Sequence, residues 1–176
     1  MHYDVTRGTL AVTCAGLSFI NRPDVMGDGV PEFVQIVTSL FSRISPRALA
    51  IITAIARAGG RPLSASEVAR RIGVPDRHHI TRILKRDGLP SFEELAAWLS
   101  VTAWLHAAER EEKSLFRIAT EMQREPATCY RMVKRVTGMS WQAAYRRGFG
   151  WQLGRLVERC DRRVANPEIL KDWRTA

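Results

Sequence analysis

Apolar side chains begin to recur at intervals of three and four at Phe33, and continue through Ile36, Val37, Leu40, Phe41 and Ile44, which predicts an amphipathic helix from Pro31. Ser45-Pro46 then offers a cap and a first-turn proline for a second helix, whose inner face is Leu49, Ile52, Ile55 and Ala56 and whose stop is Gly59-Gly60. Ser64 with Glu67 three residues on is a capping box, a serine closing one end of a reciprocal pair of backbone hydrogen bonds. It opens a short helix with Val68, Ala69 and Ile72 inward; Gly73 permits a tight turn, and a further helix follows with Ile80, Ile83 and Leu84 inward. A second box, Ser91 with Glu94, opens a long helix to about Glu112, whose broad apolar side is Leu95, Trp98, Leu99, Thr102, Leu105 and Ala108. Leu153, Leu156, Val157 and Cys160 outline another helix, and Asn166-Pro167 starts a short last one with Ile169, Leu170 and Trp173. Residues 1 to 30 lack this period: GTLAVTCAGLSFI has the make-up of a short strand and RPDVMGDGVP that of a loop.

Two stretches of this pattern say the same thing twice. VARRIGVPDRHHITRILKRDG, residues 68 to 88, is matched by IATEMQREPATCYRMVKRVTG, residues 118 to 138. Ile118, Ala119 and Met122 stand for Val68, Ala69 and Ile72; Cys129, Met132 and Val133 stand for Ile80, Ile83 and Leu84. Each copy places an alanine at the helix crossing, ends on a lysine and then a glycine (Lys85 and Gly88, Lys134 and Gly138), and is followed by an aromatic, Phe92 or Trp141. The fold class expected is all-α: two short-helix units, about 46–90 and 114–148, joined by a connecting helix over 91–112, with an N-terminal extension over 1–45 and a C-terminal one over 149–176.

Charge sharpens this picture. The chain of 176 residues carries a formal +9, but residues 1–45 hold three Arg against four acids, so the remainder carries +10 and holds both repeat copies. Such a field favours polyanions, nucleic acid or an anionic membrane surface. Cys14, Cys129 and Cys160 form no CxxC or Cys/His cluster, which agrees with a reduced, cytoplasmic setting. LAVTCAGLSFI is short for a signal peptide and lacks a basic flank and a cleavage site, and no stretch reaches the roughly 18 apolar residues of a membrane span.

Two short helices joined by a tight turn, the second basic on its outer side, is the form of a helix-turn-helix. With Ile80, Ile83 and Leu84 inward, the outer side of that helix presents His78, Arg82 and Lys85, flanked by Arg77, His79, Thr81 and Arg86. In the second copy Ala127, Arg131 and Lys134 face out, flanked by Thr128, Tyr130 and Arg135. Long cations mixed with small hydrogen-bonding side chains suit a major groove: Arg bonds guanine O6 and N7, Thr or Ala meets a thymine methyl, Lys meets phosphate.

The order of these parts over about 85 residues resembles the DNA-binding domain of bacterial AraC/XylS-type transcriptional regulators. The resemblance rests on Ala69, Ile80, Ile83-Leu84-Lys85 and Gly88-x3-Phe92, then on Ile118-Ala119, Arg131, Val133-Lys134, Gly138 and Tyr145-Arg146. The sequence departs from the family pattern in an extra residue between Gly73 and Ile80 and another between Gly88 and Phe92, in Gln123-Arg124 where Gly-Phe is usual, in Trp141 where Pro is usual, and in a Tyr145-Arg146 set one residue late. The resemblance implies two recognition helices held in successive major-groove segments of double-stranded DNA, with no cofactor. The 45 residues ahead of the units are too few for the family's ligand-sensing barrel, so no effector site is expected within the chain.

Other chemistry is sparse. A single charged helix face is ordinarily only solvated, but two equivalent faces in a repeat, backed by +10, favour a ligand. His78-His79 point about 100° apart on a helix with no third ligand near, so no metal site is expected. Trp98, Trp104 and Trp141 read as packing residues, Cys129 as a small apolar one, and Tyr130 as a phosphate contact or a lid on the local core. Glu93, Glu94, Glu109, Glu111 and Glu112 read as solvated acids; with no phosphate loop or triad, the chain is expected not to be an enzyme. The alternative to a DNA-binding regulator is a helical interaction adaptor that keeps the fold without reading DNA. A further partner, RNA polymerase or another regulator, is left open, as is the choice between a monomer and a dimer through the terminal helices.

Overall fold

The computed structural model describes residues 29–160 apart from residue 42, and everything described is helical or connecting loop, with no strand. The helices are α1 (Gly29–Leu40), α2 (Pro46–Arg57), α3 (Ala65–Arg71), α4 (Arg77–Arg86), α5 (Phe92–Glu111), α6 (Leu115–Glu121), α7 (Pro126–Thr137) and α8 (Trp141–Arg159). The strand expected near the N-terminus and the short helix expected from Asn166-Pro167 lie outside the described residues.

Helix starts follow local chemistry closely. Every helix from α2 to α8 opens with a side-chain oxygen accepting a backbone N–H, from Ser45, Ser64, Asp76, Ser91, Ser114, Glu125 and Ser140 in turn. In the two expected capping boxes the serine half forms, whereas the glutamates reach elsewhere: Glu67 to Arg71 and Glu94 to Arg159, each at 2.5 Å. Ser45 also donates to the carboxylate of Asp87 at 2.7 Å, tying the start of α2 to the end of α4.

Both short helices end alike. Gly73 takes φ +69 and the next N–H, of Val74, donates to the Ala69 carbonyl at 3.0 Å; in the second copy Gln123 takes φ +56 and the N–H of Arg124 donates to the Ala119 carbonyl at 2.8 Å. The departure Gln123 therefore adopts the left-handed turn that glycine provides in the first copy, at the strain of about 1–2 kcal/mol such a side chain carries.

Helix α5 is the axis of the molecule. It packs on α1, α2, α4, α6, α7 and α8, and every residue from Ala97 to Ala108 is buried, so it has no solvent face over that span and not merely a broad apolar side. Trp104, fully buried, lies against the end of α2, where Gly60 sits at φ +89; a Cβ there would land on the indole. Arg124, from the turn between α6 and α7, donates to the Gly60 carbonyl at 2.7 Å and lies over the Trp104 ring at 5.5 Å.

Two acids expected to be merely solvated have partners across the fold. Glu94 binds Arg159, and Glu109 accepts the backbone N–H of Phe149 at 2.5 Å. The second bond explains α8, which bends at Gly148 (φ 85, ψ 168): the bend frees backbone donors, and the Glu109 carboxylate, raised above its ordinary pKa mainly by partial burial, takes one of them. Glu111 likewise pairs with Lys113.

His106 on α5 is buried beside Phe149 (ring centroids 4.9 Å apart) and Phe33 (5.7 Å). Burial lowers its pKa from the ordinary 6.5. The unfolded chain then binds a proton that the folded chain refuses, so the stabilisation is complete above pH 6.5 and is lost as pH falls toward the depressed value. His106→Phe should flatten the fall in urea-unfolding free energy as pH drops below 6.5; equal slopes in variant and wild type would refute this.

Candidate nucleic-acid interface

The outer sides of α4 and α7 are where the two copies present matched chemistry. On α4, Ile80, Ile83 and Leu84 are buried, while Arg77, His78, Thr81, Arg82, Lys85 and Arg86 are exposed. On α7, Cys129 and Val133 are buried and Met132 half-buried, while Ala127, Tyr130, Arg131, Lys134 and Arg135 are exposed and Thr128 is half-buried. Both helices pack on α5 and on their own short partner, α3 or α6. The inner residues thus fix each helix's rotation, and the cations are what remain for solvent.

The exposed residues are not all equivalent. Arg86 leans back toward Ser45 Oγ (3.2 Å) and Asp87 (3.4 Å), so it braces the α2 start while staying exposed. Lys85, Lys134 and Arg135 have no ion-pair partner among the described residues. They are cations available to an outside anion.

Arg82 and Arg131 each belong to a small polar chain, laid out at the same spacing. Asp76 caps α4 by accepting from the N–H of His79 at 2.9 Å; its Oδ1 also lies 3.1 Å from His79 Nδ1, and the Arg82 guanidinium lies 3.0 Å from His79 Nε2. Glu125 caps α7 by accepting from the N–H of Ala127 (3.0 Å) and of Thr128 (2.7 Å). The Thr128 hydroxyl donates to Glu125 at 2.5 Å and accepts from Arg131 at 2.9 Å, with the guanidinium 3.5 Å from the carboxylate. Hydrogen bonds hold both acids below the ordinary carboxylate range, for Asp76 chiefly the one from the His79 backbone and for Glu125 chiefly the one from the Thr128 hydroxyl.

Asp76 and Glu125 were not among the residues expected to matter. Asp76 carries a sequence signal, an Asp directly ahead of a helix; Glu125, before Pro126, is a poor capping type and is recognisable only by its match to Asp76 in the repeat. Arg124 also escaped, since its partner Gly60 is far away in sequence.

Elsewhere, an open cleft of about 440 Å³ lies at the α8 bend, lined by Glu109, Arg147, Trp151, Arg155 and Glu158 among others. No cluster of three or more metal-ligating side chains occurs among the described residues, and no helix there is long and apolar enough to cross a membrane. Cys129 and Cys160 are buried free thiols; burial raises the first and pushes the second up to about 12, so neither is a ready thiolate. No protein-family model, curated protein or solved structure matches the chain.

Proposed function

We propose that this chain is a sequence-specific, double-stranded DNA-binding transcriptional regulator without catalytic activity, built as a tandem helix-turn-helix in the manner of AraC/XylS-type domains. α3 with α4 is the first unit, α6 with α7 the second, and α5 the connecting helix; α4 and α7 enter successive major-groove segments. One observation carries the reading: the matched residues of α4 and α7 are buried on one side and left as cations on the other, with an acid, a hydrogen-bonding residue and an arginine at the same spacing in both. Charge of this kind supplies affinity through phosphates, and arginine supplies choice through base edges.

Selection of bound duplexes from a random pool tests it. A recovered site with two separated blocks of preferred bases supports the reading; no enrichment, with no binding to any duplex at low salt, rejects it. Lys85→Ala should weaken binding to all duplexes alike and lower the slope of log affinity against log salt by about one. A loss confined to one sequence would mean that Lys85 reads a base.

A second reading is the helical adaptor that keeps the fold without reading DNA. It is favoured by Phe116, on α6, which leaves 60% of its surface in solvent and would suit a protein partner. The low-salt binding measurement separates the two.

A further inference from the structure

In both reading helices the arginine is linked, directly in α7 and through His79 in α4, to an acid that stands at the helix start, and this juxtaposition has a consequence for what the helix accepts. A helix N-terminus attracts phosphate, because its first N–H groups lack partners and the dipole is positive there. In α4 and α7 that end is already taken: Asp76 holds the N–H of His79, and Glu125 holds those of Ala127 and Thr128. A phosphate brought to either end would meet a like charge, and at the α7 start, where Pro126 has no N–H and Glu125 holds the next two, it would also find no spare donor. Sequence-independent contact is thereby shifted toward the other end of each helix, to Lys85 with Arg86 and to Lys134 with Arg135.

The same acids hold the arginines. Arg131 is fixed through Thr128 Oγ1 at 2.9 Å and lies 3.5 Å from Glu125 itself; Arg82 is fixed through the His79 ring, which in turn touches Asp76. Each restraint uses one terminal nitrogen of the guanidinium, so the opposite terminal nitrogen and Nε stay open for a pair of acceptors. Holding a long side chain in place before binding reduces the ordering cost on contact.

We propose that Asp76 and Glu125 are specificity-determining positioning residues: each carboxylate refuses phosphate at the helix start and holds the neighbouring arginine for guanine, so that each half of the target carries a G·C pair. This rests on the DNA-binding reading above. Guanine offers O6 and N7 to the arginine that the carboxylate holds. The tie is direct in α7 and relayed by an imidazole in α4, so Glu125 has the larger effect.

The test compares the wild-type chain, Glu125→Gln and Asp76→Asn on the duplex selected by the wild type and on a random-sequence duplex. Asp76→Asn keeps the one oxygen that caps α4, whereas Glu125→Gln keeps an oxygen for Thr128 and gives up the Ala127 bond, so thermal melting is used to confirm that both variants fold. Glu125→Gln should bind the random duplex about two- to fivefold more tightly. It should lower the ratio of selected to random affinity about tenfold, with the loss of preference confined to the guanine position of one half. Asp76→Asn should act on the other half and less strongly. In an Arg131→Ala background, Glu125→Gln should leave base preference unchanged, because its effect passes through that arginine. An unchanged ratio in Glu125→Gln, or a change that persists in full without Arg131, overturns the inference while leaving the DNA reading intact. A wild-type chain that prefers no duplex overturns both.

Discussion

Trp104→Ala is expected to cost about 3–5 kcal/mol of unfolding free energy, a large share of the roughly 5–15 kcal/mol a domain holds. The indole is fully buried on α5, where that helix meets the end of α2 and the turn before α7, so its removal opens a cavity among three parts of the fold. The indole N–H has no hydrogen-bond partner among the described residues. The whole loss is therefore one of packing and of the Arg124 contact. Trp104→Phe, which keeps a ring for Arg124, should lose only a minor part of it. Urea unfolding with unchanged m-value measures both variants, and a loss under about 1 kcal/mol in Trp104→Ala would show that the site repacks.

The second large effect is on binding. With Arg82→Ala and Arg131→Ala combined, discrimination between the selected duplex and a random one should fall by about 2–6 kcal/mol, the sum of about 1–3 kcal/mol for each lost bidentate contact. The two positions sit on different helices and share no partner, so the losses should add. Each single variant should relax preference at one end of the site alone. Both side chains are exposed, so melting should scarcely move. Selected sites that stay the same in the double variant would remove α4 and α7 from the reading role.

The parts of the fold legible in the sequence are those decided within a few residues. Ser45, Ser64 and Ser91 announce helix starts because a cap acts three residues away, and Ile80, Ile83 and Leu84 announce an inner face because helical geometry stacks them. What needed a distant partner was not legible. The burial of α5 on every side depends on Ala97, Ser100, Ala103 and Ala107, small residues that leave no apolar stripe but let neighbouring helices close in. The bend at Gly148 depends on Glu109, forty residues earlier, and the acid beneath Arg131 emerges only once the cap of α7 is located. Gln123 in a left-handed turn has no local signal, since the chain imposes it through the Arg124 to Ala119 hydrogen bond.

Arg124 also determines what kind of instrument the molecule is. Its guanidinium fastens the turn ahead of α7 to the backbone end of α2, so the halves are tied across α5 and are not joined like beads on a tether. Under the DNA reading the chain is then a caliper with its jaws locked. One base pair inserted between the two blocks of its target would carry the far block 3.4 Å along the axis and about a tenth of a turn around it. Only one jaw could then seat, and the gain from closing both at once would vanish although every base remained in place.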